Sequence, residues 1–369
     1  MRLVLISYRI EGRSNFVSVG ESICRGVCFL LLWCIGPVRA VPDATAADSS
    51  TPPAQANARQ VSISFSFVRT FSSADEVRRP QHPILDRAFD IVAGAADPVA
   101  RVDVLQSPSA VTTDSRHRVF VADPAAGGVH VFDFVGSRYG LLDPDGKHLH
   151  SPIALAADAR DNLYVIDQGT KSIVIYDSKG KFQGYLGKLK GGESYFDSPV
   201  AIAIDRSKDH AYVCDARRNS VFVMDEQGRL IRRIGKRVGG GGPGEFRKPS
   251  VVGVSGGELF VLDAGNARIQ IFDTAGYFKR SMNLGFADGN TGMAVDNAGN
   301  IYVSDPALNR IDVFRRDGKS LYAFDPSTIK AENFSHPSAM WVDAGQFLFV
   351  VDSDSNRIGE FQISAEKTQ

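Results

Sequence analysis

Short apolar runs interrupted by turn residues recur along most of the chain, and the stretch 249–285, PSVVGVSGGELFVLDAGNARIQIFDTAGYFKRSMNLG, shows one full period. Its alternation predicts strands at 251–254, 259–262, 269–272 and 278–284, with turns at 255–257, 263–267 and 273–276. Four antiparallel strands joined by short turns make one propeller blade.

The period can be counted. The second strand of the unit ends in an aspartate at Asp123, Asp167, Asp215, Asp263, Asp305 and Asp352, within VFVAD, LYVID, AYVCD, LFVLD, IYVSD and LFVVD. Nine residues later a large apolar residue closes the third strand: Phe132, Tyr176, Met224, Phe272, Phe314 and Phe361. The aspartates lie 44, 48, 48, 42 and 47 residues apart, so length varies only in the loops. A proline opens the first strand at Pro108, Pro152, Pro199, Pro249 and Pro337, whereas the fifth unit has Asn290. Three residues before each proline stands an apolar anchor, Leu105, Leu149, Phe196, Phe246 or Phe334, placed to plug the gap between neighbouring blades.

A residue needed once per blade is structural, and each aspartate is expected to accept backbone N–H groups of the turn between second and third strands. Bases follow at Lys171, Arg218, Arg268, Arg310 and Arg357. As exposed Asp–base pairs these would add only about 0–1 kcal/mol each.

LFVLDAGNARIQIFDTAG and IYVSDPALNRIDVFRRDG, together with GGGGPGEFRKP before the fourth unit, resemble NHL repeats. The resemblance covers about residues 106–364 and implies an all-β, six-bladed β-propeller of four-stranded antiparallel blades. Propellers of this kind serve as protein-binding, RNA-binding and catalytic domains, so the resemblance sets the fold and leaves the activity open. The sixth unit stops after its third strand at 357–364, and an N-terminal strand is expected to close the ring. RAFDIVAG at 87–94 resembles the fourth strands RLIRRIG and KFQGYLG, which points to residues 88–93. VSISFSFVRTF at 61–71 alternates apolar residues with serines and predicts a half-buried strand outside the repeats, capping a blade edge or the underside.

Composition adds the boundaries. The 369 residues are 43% hydrophobic, with 35 Gly and 17 Pro, which suits one turn-rich all-β domain. VCFLLLWCI at 27–35 follows Arg25 and precedes Val38-Arg39-Ala40, the pattern of a secretory signal peptide cleaved after Ala40. Nine apolar residues cannot span a bilayer. Lipidation of Cys34 is the competing reading, and Trp33 stands where such a signal wants a small residue. The expected organisation is a signal at 1–40, a flexible linker at 41–60, an extension with one strand at 61–86, the propeller at 87–364 and a tail at 365–369. The mature protein is then exported, periplasmic or extracellular, with no transmembrane span.

Export would remove three of the four cysteines and leave Cys214, whose place in AYVCD reads as a small core residue. It would also remove five Arg and two Glu, taking 42 basic and 42 acidic residues to 37 and 40, a net of −3. Nucleic acid is not an expected partner at that charge. The cluster Arg217, Arg218, Arg232, Arg233, Lys236, Arg237, Arg247 and Lys248 is read as a solvated edge of outer strands.

Candidate chemistry is sparse. GGGGPG at 239–244 leads into a strand without the Lys-Ser/Thr and helix that a phosphate cradle needs. His148, His150 and His336 lie on loops leading into first strands, but no third blade offers a matching histidine. Propeller lyases that the fold resembles hold zinc through histidines from different blades, and propeller lactonases hold calcium near the axis. Asp197, Asp288 and Asn290 are the residues here that such a calcium site would use. No cofactor is expected, with zinc or calcium as the competing reading. The expected function is a non-catalytic scaffold for a protein or cell-surface ligand. It would bind through a ring of lead-in residues: His150, Asp197, Arg247, Lys248, Asp288 and His336. The competing class is a metal-dependent lyase or lactone hydrolase with its site on the axis.

Overall fold

Every repeat unit folds as an antiparallel sheet of four strands, and six such sheets follow one another along the chain. The computed structural model describes residues 4–10, 13–19, 61–77, 103–189, 191–287, 291–328 and 334–367. Two compact units are present, 1–57 and 58–369. In the first, Val4–Ile10 pairs with Arg13–Val19 in an antiparallel hairpin. The apolar run at 27–35 lies outside the described residues.

The second unit is the propeller. Its fourth blade consists of Pro249–Ser255, Glu258–Asp263, Arg268–Asp273 and Phe278–Asn283, so the first strand begins at its proline, two residues before the expected start. In the fifth blade, where Asn290 replaces that proline, the first strand is reduced to Met293–Val295. The core is divided into wedges between neighbouring blades. Each of the five anchors sits in one of them: Leu105, Leu149, Phe196, Phe246 and Phe334 are all at most 3% exposed. Cys214 is fully buried in the wedge between blades 3 and 4. Burial first, then the charges of Asp215 and Asp263, push its thiol well above the ordinary value, as a core residue requires.

Ring closure departs from the expectation. Blade 6 contains Pro337–Val342, Phe347–Asp352 and Arg357–Lys367, and its outer strand is Val61–Phe71. The ladder runs from Ile358 opposite Phe71 to Lys367 opposite Val61, which fills the edge assigned to residues 88–93. Those residues lie outside the described ones. The physical reason is length and pattern: an 11-residue third strand needs an 11-residue partner, and only 61–71 alternates over that distance. The propeller therefore starts at Val61 instead of residue 87. Phe65 also reaches blade 5, stacking on Phe324 at 4.3 Å and Tyr322 at 5.7 Å. Val61 and Lys367 both lie at the end of blade 6 remote from its lead-in loop.

A chain beginning at Ser72 is expected to lose cooperative thermal unfolding, because it bares the edge of Arg357–Lys367 and strips Phe65 from blade 5. A chain beginning at Val61 is expected to melt cooperatively. Circular dichroism of the two decides the matter, and equal melting would refute this closure.

Candidate functional site

The lead-in loops are set by the repeated aspartates. In blade 1, Gln106 and Ser107 donate their N–H groups to Asp123 at 2.6 and 3.1 Å, while Ala125 and Ala126 of the next turn donate at 3.1 and 3.0 Å. In blade 2, His150, Ser151 and Thr170 donate to Asp167 at 2.7, 2.7 and 2.8 Å. Blade 3 repeats the arrangement, with Asp197, Ser198 and Arg218 donating to Asp215 at 2.7, 3.2 and 3.0 Å. Each of these carboxylates is 0% exposed. Burial alone would raise the Asp123 carboxyl, but His130 and the amides of Gln106, Ala126 and Ser107 outweigh it and hold it below the ordinary value. The sequence anticipates the turn half of this contact and misses the half that fastens the lead-in backbone.

The bases behave differently from exposed pairs. Arg268 and Arg357 contact Asp263 and Asp352 at 2.9 and 3.0 Å, and both guanidinium groups are largely buried. Arg310 is 3.9 Å from Asp305 and turns mainly to Asp312 at 3.0 Å. Arg218 lies over the Phe222 ring at 5.8 Å instead of on Asp215. Arg268 also gathers the carbonyls of Gly241, Gly242 and Glu245 at 2.7, 2.9 and 2.9 Å. A loop whose carbonyls converge on a cation presents the wrong polarity for phosphate, in keeping with its reading as a loop between blades.

In blades 4 and 6 only the first lead-in residue bonds the aspartate, Arg247 at 2.7 Å and Ser335 at 3.2 Å. The second, Lys248 or His336, instead adopts a left-handed backbone with φ of 51° or 53° immediately before a proline. That region is unfavourable for a side chain and doubly so before proline. Of the six ring residues, Lys248 and His336 line the axial channel, while His150, Asp197 and Arg247 are not on its wall. Asp288 lies outside the described residues. Asp197 faces Arg217 at 3.8 Å.

The channel encloses about 1370 Å³. Its wall is made by the first strands, whose axis-facing edges carry small or apolar residues such as Ser109, Ile153, Val200, Gly253, Val295 and Ala339. Among the described residues, the ionisable lining groups stand at the two mouths: Lys248, His336 and Asp354 at the lead-in end, and Asp205 and Arg206 at the other. Asp354 was missed in the sequence because it occupies the variable turn after Asp352, and its only signal was an acidic residue in that turn.

Among the described residues no three His, Cys, Asp or Glu side chains are grouped to hold a metal ion. His148 stacks on Phe182 with centroids 3.8 Å apart and faces the Tyr185 hydroxyl at 3.4 Å, away from the zinc role considered for it.

This geometry defines a six-bladed β-propeller protein. A family described as a six-bladed β-propeller matches residues 202–298. No curated protein matches the chain. Among solved structures, a streptogramin B lyase is similar at 12% identity and a TM-score of 0.52, over 70% of this chain and 94% of the lyase. A gluconolactonase from Xanthomonas campestris is similar at 17% identity and 0.53, over 70% of this chain and 87% of the enzyme. A protein of unknown function from Bacteroides thetaiotaomicron gives 13% identity and 0.56, over 82% of this chain and 76% of the other. At such identities the likeness concerns fold, and the activities belong to those proteins.

Replacing Asp167 with Ala is expected to destabilise the propeller by about 2 kcal/mol, since three part-buried N–H donors lose a fully buried acceptor. Asp305→Ala is expected to do less, because the one N–H bond among the described residues is from Leu308 at 3.2 Å. Denaturant unfolding measures the difference, and hydrogen exchange should quicken at His150 and Ser151 in the first variant. Unchanged exchange there would overturn the clamp.

Proposed function

We propose that the protein is an exported propeller of NHL type that binds a protein or cell-surface component through its lead-in face, without catalysing a reaction. The observation that carries this reading is the clamp: buried carboxylates fix the lead-in backbones, while the side chains of His150, Arg247 and Lys248 stay exposed. A rigid backbone presenting varied side chains lowers the ordering cost of binding. The strained positions Lys248 and His336 add to it, since stored backbone strain tends to gather at binding positions. The opposite end carries Val61, where the linker joins, so the lead-in face is clear of that attachment.

An enzyme is the second reading, supported by the lyase and gluconolactonase folds. On the described wall of the channel, however, the charged groups are confined to the mouths. Metal analysis of the purified protein separates the two readings, and stoichiometric zinc or calcium would favour the enzyme.

Replacing Arg247 and Lys248 together with Ala, or His150 and His336 together, is expected to weaken capture of partners from a native envelope extract at least tenfold, with melting changed by less than about 2 °C. If both double variants capture as the parent does while changes at the opposite end abolish capture, the face has been misassigned. Export has its own test. The intact mass of the exported protein should correspond to a chain starting at Val41, and a retained leader or a lipidated Cys34 would contradict that.

A further inference from the structure

One outer-strand position is read out six times in register. The residue preceding the closing apolar residue of each third strand pairs with Gly140, Gly184, Arg232, Arg280, Tyr322 or Arg69 on the fourth strand. In four blades that fourth-strand side chain crosses to the next blade. Arg232 lies over Tyr277 at 4.7 Å, Arg280 donates to the Arg316 carbonyl at 2.7 Å, Tyr322 stacks on Phe65 at 5.7 Å and Arg69 lies over Phe134 at 4.3 Å. Gly140 has nothing to send across, and a Cβ built there would meet no atom within 4 Å. The seam between blades 1 and 2 accordingly holds a cavity of about 380 Å³. That size is in the range of small-molecule sites.

A second departure converges on the same seam. The residue closing the third strand of blade 2 is Tyr176, where every other blade has Phe or Met. It is 2% exposed, lines this cavity, and its hydroxyl has no hydrogen-bond partner among the described residues. A buried hydroxyl left unsatisfied is unfavourable, and the repeat folds elsewhere with Phe, so the fold does not call for it. Gly184 leaves the following seam without a filler too, but there Met224 strands no polar group.

We propose that the seam between blades 1 and 2 binds a small planar cation, of amidinium or guanidinium type on an apolar body, which takes the place of the missing filler. Three of the four fillers in the other seams are guanidinium groups, so the chemistry suits the wedge. The lining carries four carboxylates, Asp133, Asp143, Asp161 and Asp177, against three cations, Arg118, Arg138 and Lys179. Arg118 is already committed to Asp114 at 2.7 Å. Arg118 already covers the Phe120 ring at 5.3 Å, which leaves Tyr176 as the recognition residue, its oxygen accepting an N–H from the ligand in the proposed complex. The site runs along the blade sides from the turns at Asp161 and Asp177 to Asp143 and Pro144, where the loop leading into blade 2 begins, and its lining includes none of His150, Asp197, Arg247, Lys248 and His336 of the binding face proposed above.

Benzamidine is the probe, titrated into the full chain and followed by protein NMR, with benzoate as the anionic comparison. Saturable shifts at residues around Tyr176 are expected with benzamidine and not with benzoate. Tyr176→Phe should weaken binding about tenfold, the loss of one hydrogen bond to a cation. Gly140→Arg should abolish it and raise the melting temperature by filling the seam. Both substitutions install residues that other units already use, and should Gly140→Arg fail to fold, Tyr176→Phe decides alone. No saturation by benzamidine, preference for benzoate, or parent-like affinity in Tyr176→Phe would each overturn the proposal.

Discussion

Everything in this propeller hangs on a buried carboxylate at the end of each second strand. A fully desolvated aspartate is unfavourable unless donors surround it, and in blades 1 to 3 the donors come from two segments, one of them 16–18 residues before the aspartate in the chain. One is the turn that follows; the other is the loop that led into the blade. The same carboxylate therefore ties the start of a blade to its middle. The rigidity of the channel mouth, and hence its fitness to present side chains, follows from an electrostatic necessity in the core.

The seams complete the argument from the other side. Sheets that radiate from an axis diverge as they leave it, so the space between blades widens outward and must be filled by progressively larger side chains. Anchors such as Phe196 and Phe246 fill the lead-in end, and Arg232, Arg280, Tyr322 and Arg69 fill the outer strands. Around Glu258 the filling is ionic. The Arg280 hydrogen bond first, with Lys279 and Arg316, outweighs burial and holds its carboxyl far below the ordinary range. Closure obeys the same demand, because Val61–Phe71 both completes a ladder and supplies Phe65 to the neighbouring seam.

Much of this was legible in the sequence because repeats average out ambiguity. The invariant nine-residue interval from Asp to closing apolar residue fixed the hairpin, and the anchors three residues before each proline announced the wedges. What was not legible were contacts between distant segments. RAFDIVAG matched a fourth strand locally, yet pairing is decided by the partner's length, and Arg357–Lys367 runs past the point where the repeat ends. The ring of lead-in residues was likewise found as a set, but its division was hidden. Whether the second residue bonds the aspartate, as Ser151 does, or turns toward the axis, as Lys248 and His336 do, depends on backbone angles that composition does not encode.

An internal repeat supplies its own control, and that logic locates function better than fold similarity does. Positions held alike in six blades answer to the blade; positions that break the pattern at a stability cost answer to something else. Lys248 and His336 break it by adopting a left-handed backbone before proline, and Tyr176 breaks it by burying a hydroxyl that the other blades omit. Each departure sits on a cavity, the axial channel in one case and the seam between blades 1 and 2 in the other. In the proposed complexes a ligand's N–H would satisfy the Tyr176 oxygen, and contacts at the channel mouth would offset the strain at Lys248 and His336. These two cavities, where a departure from the period carries a stability cost, are therefore places where a partner's chemistry has much to offer.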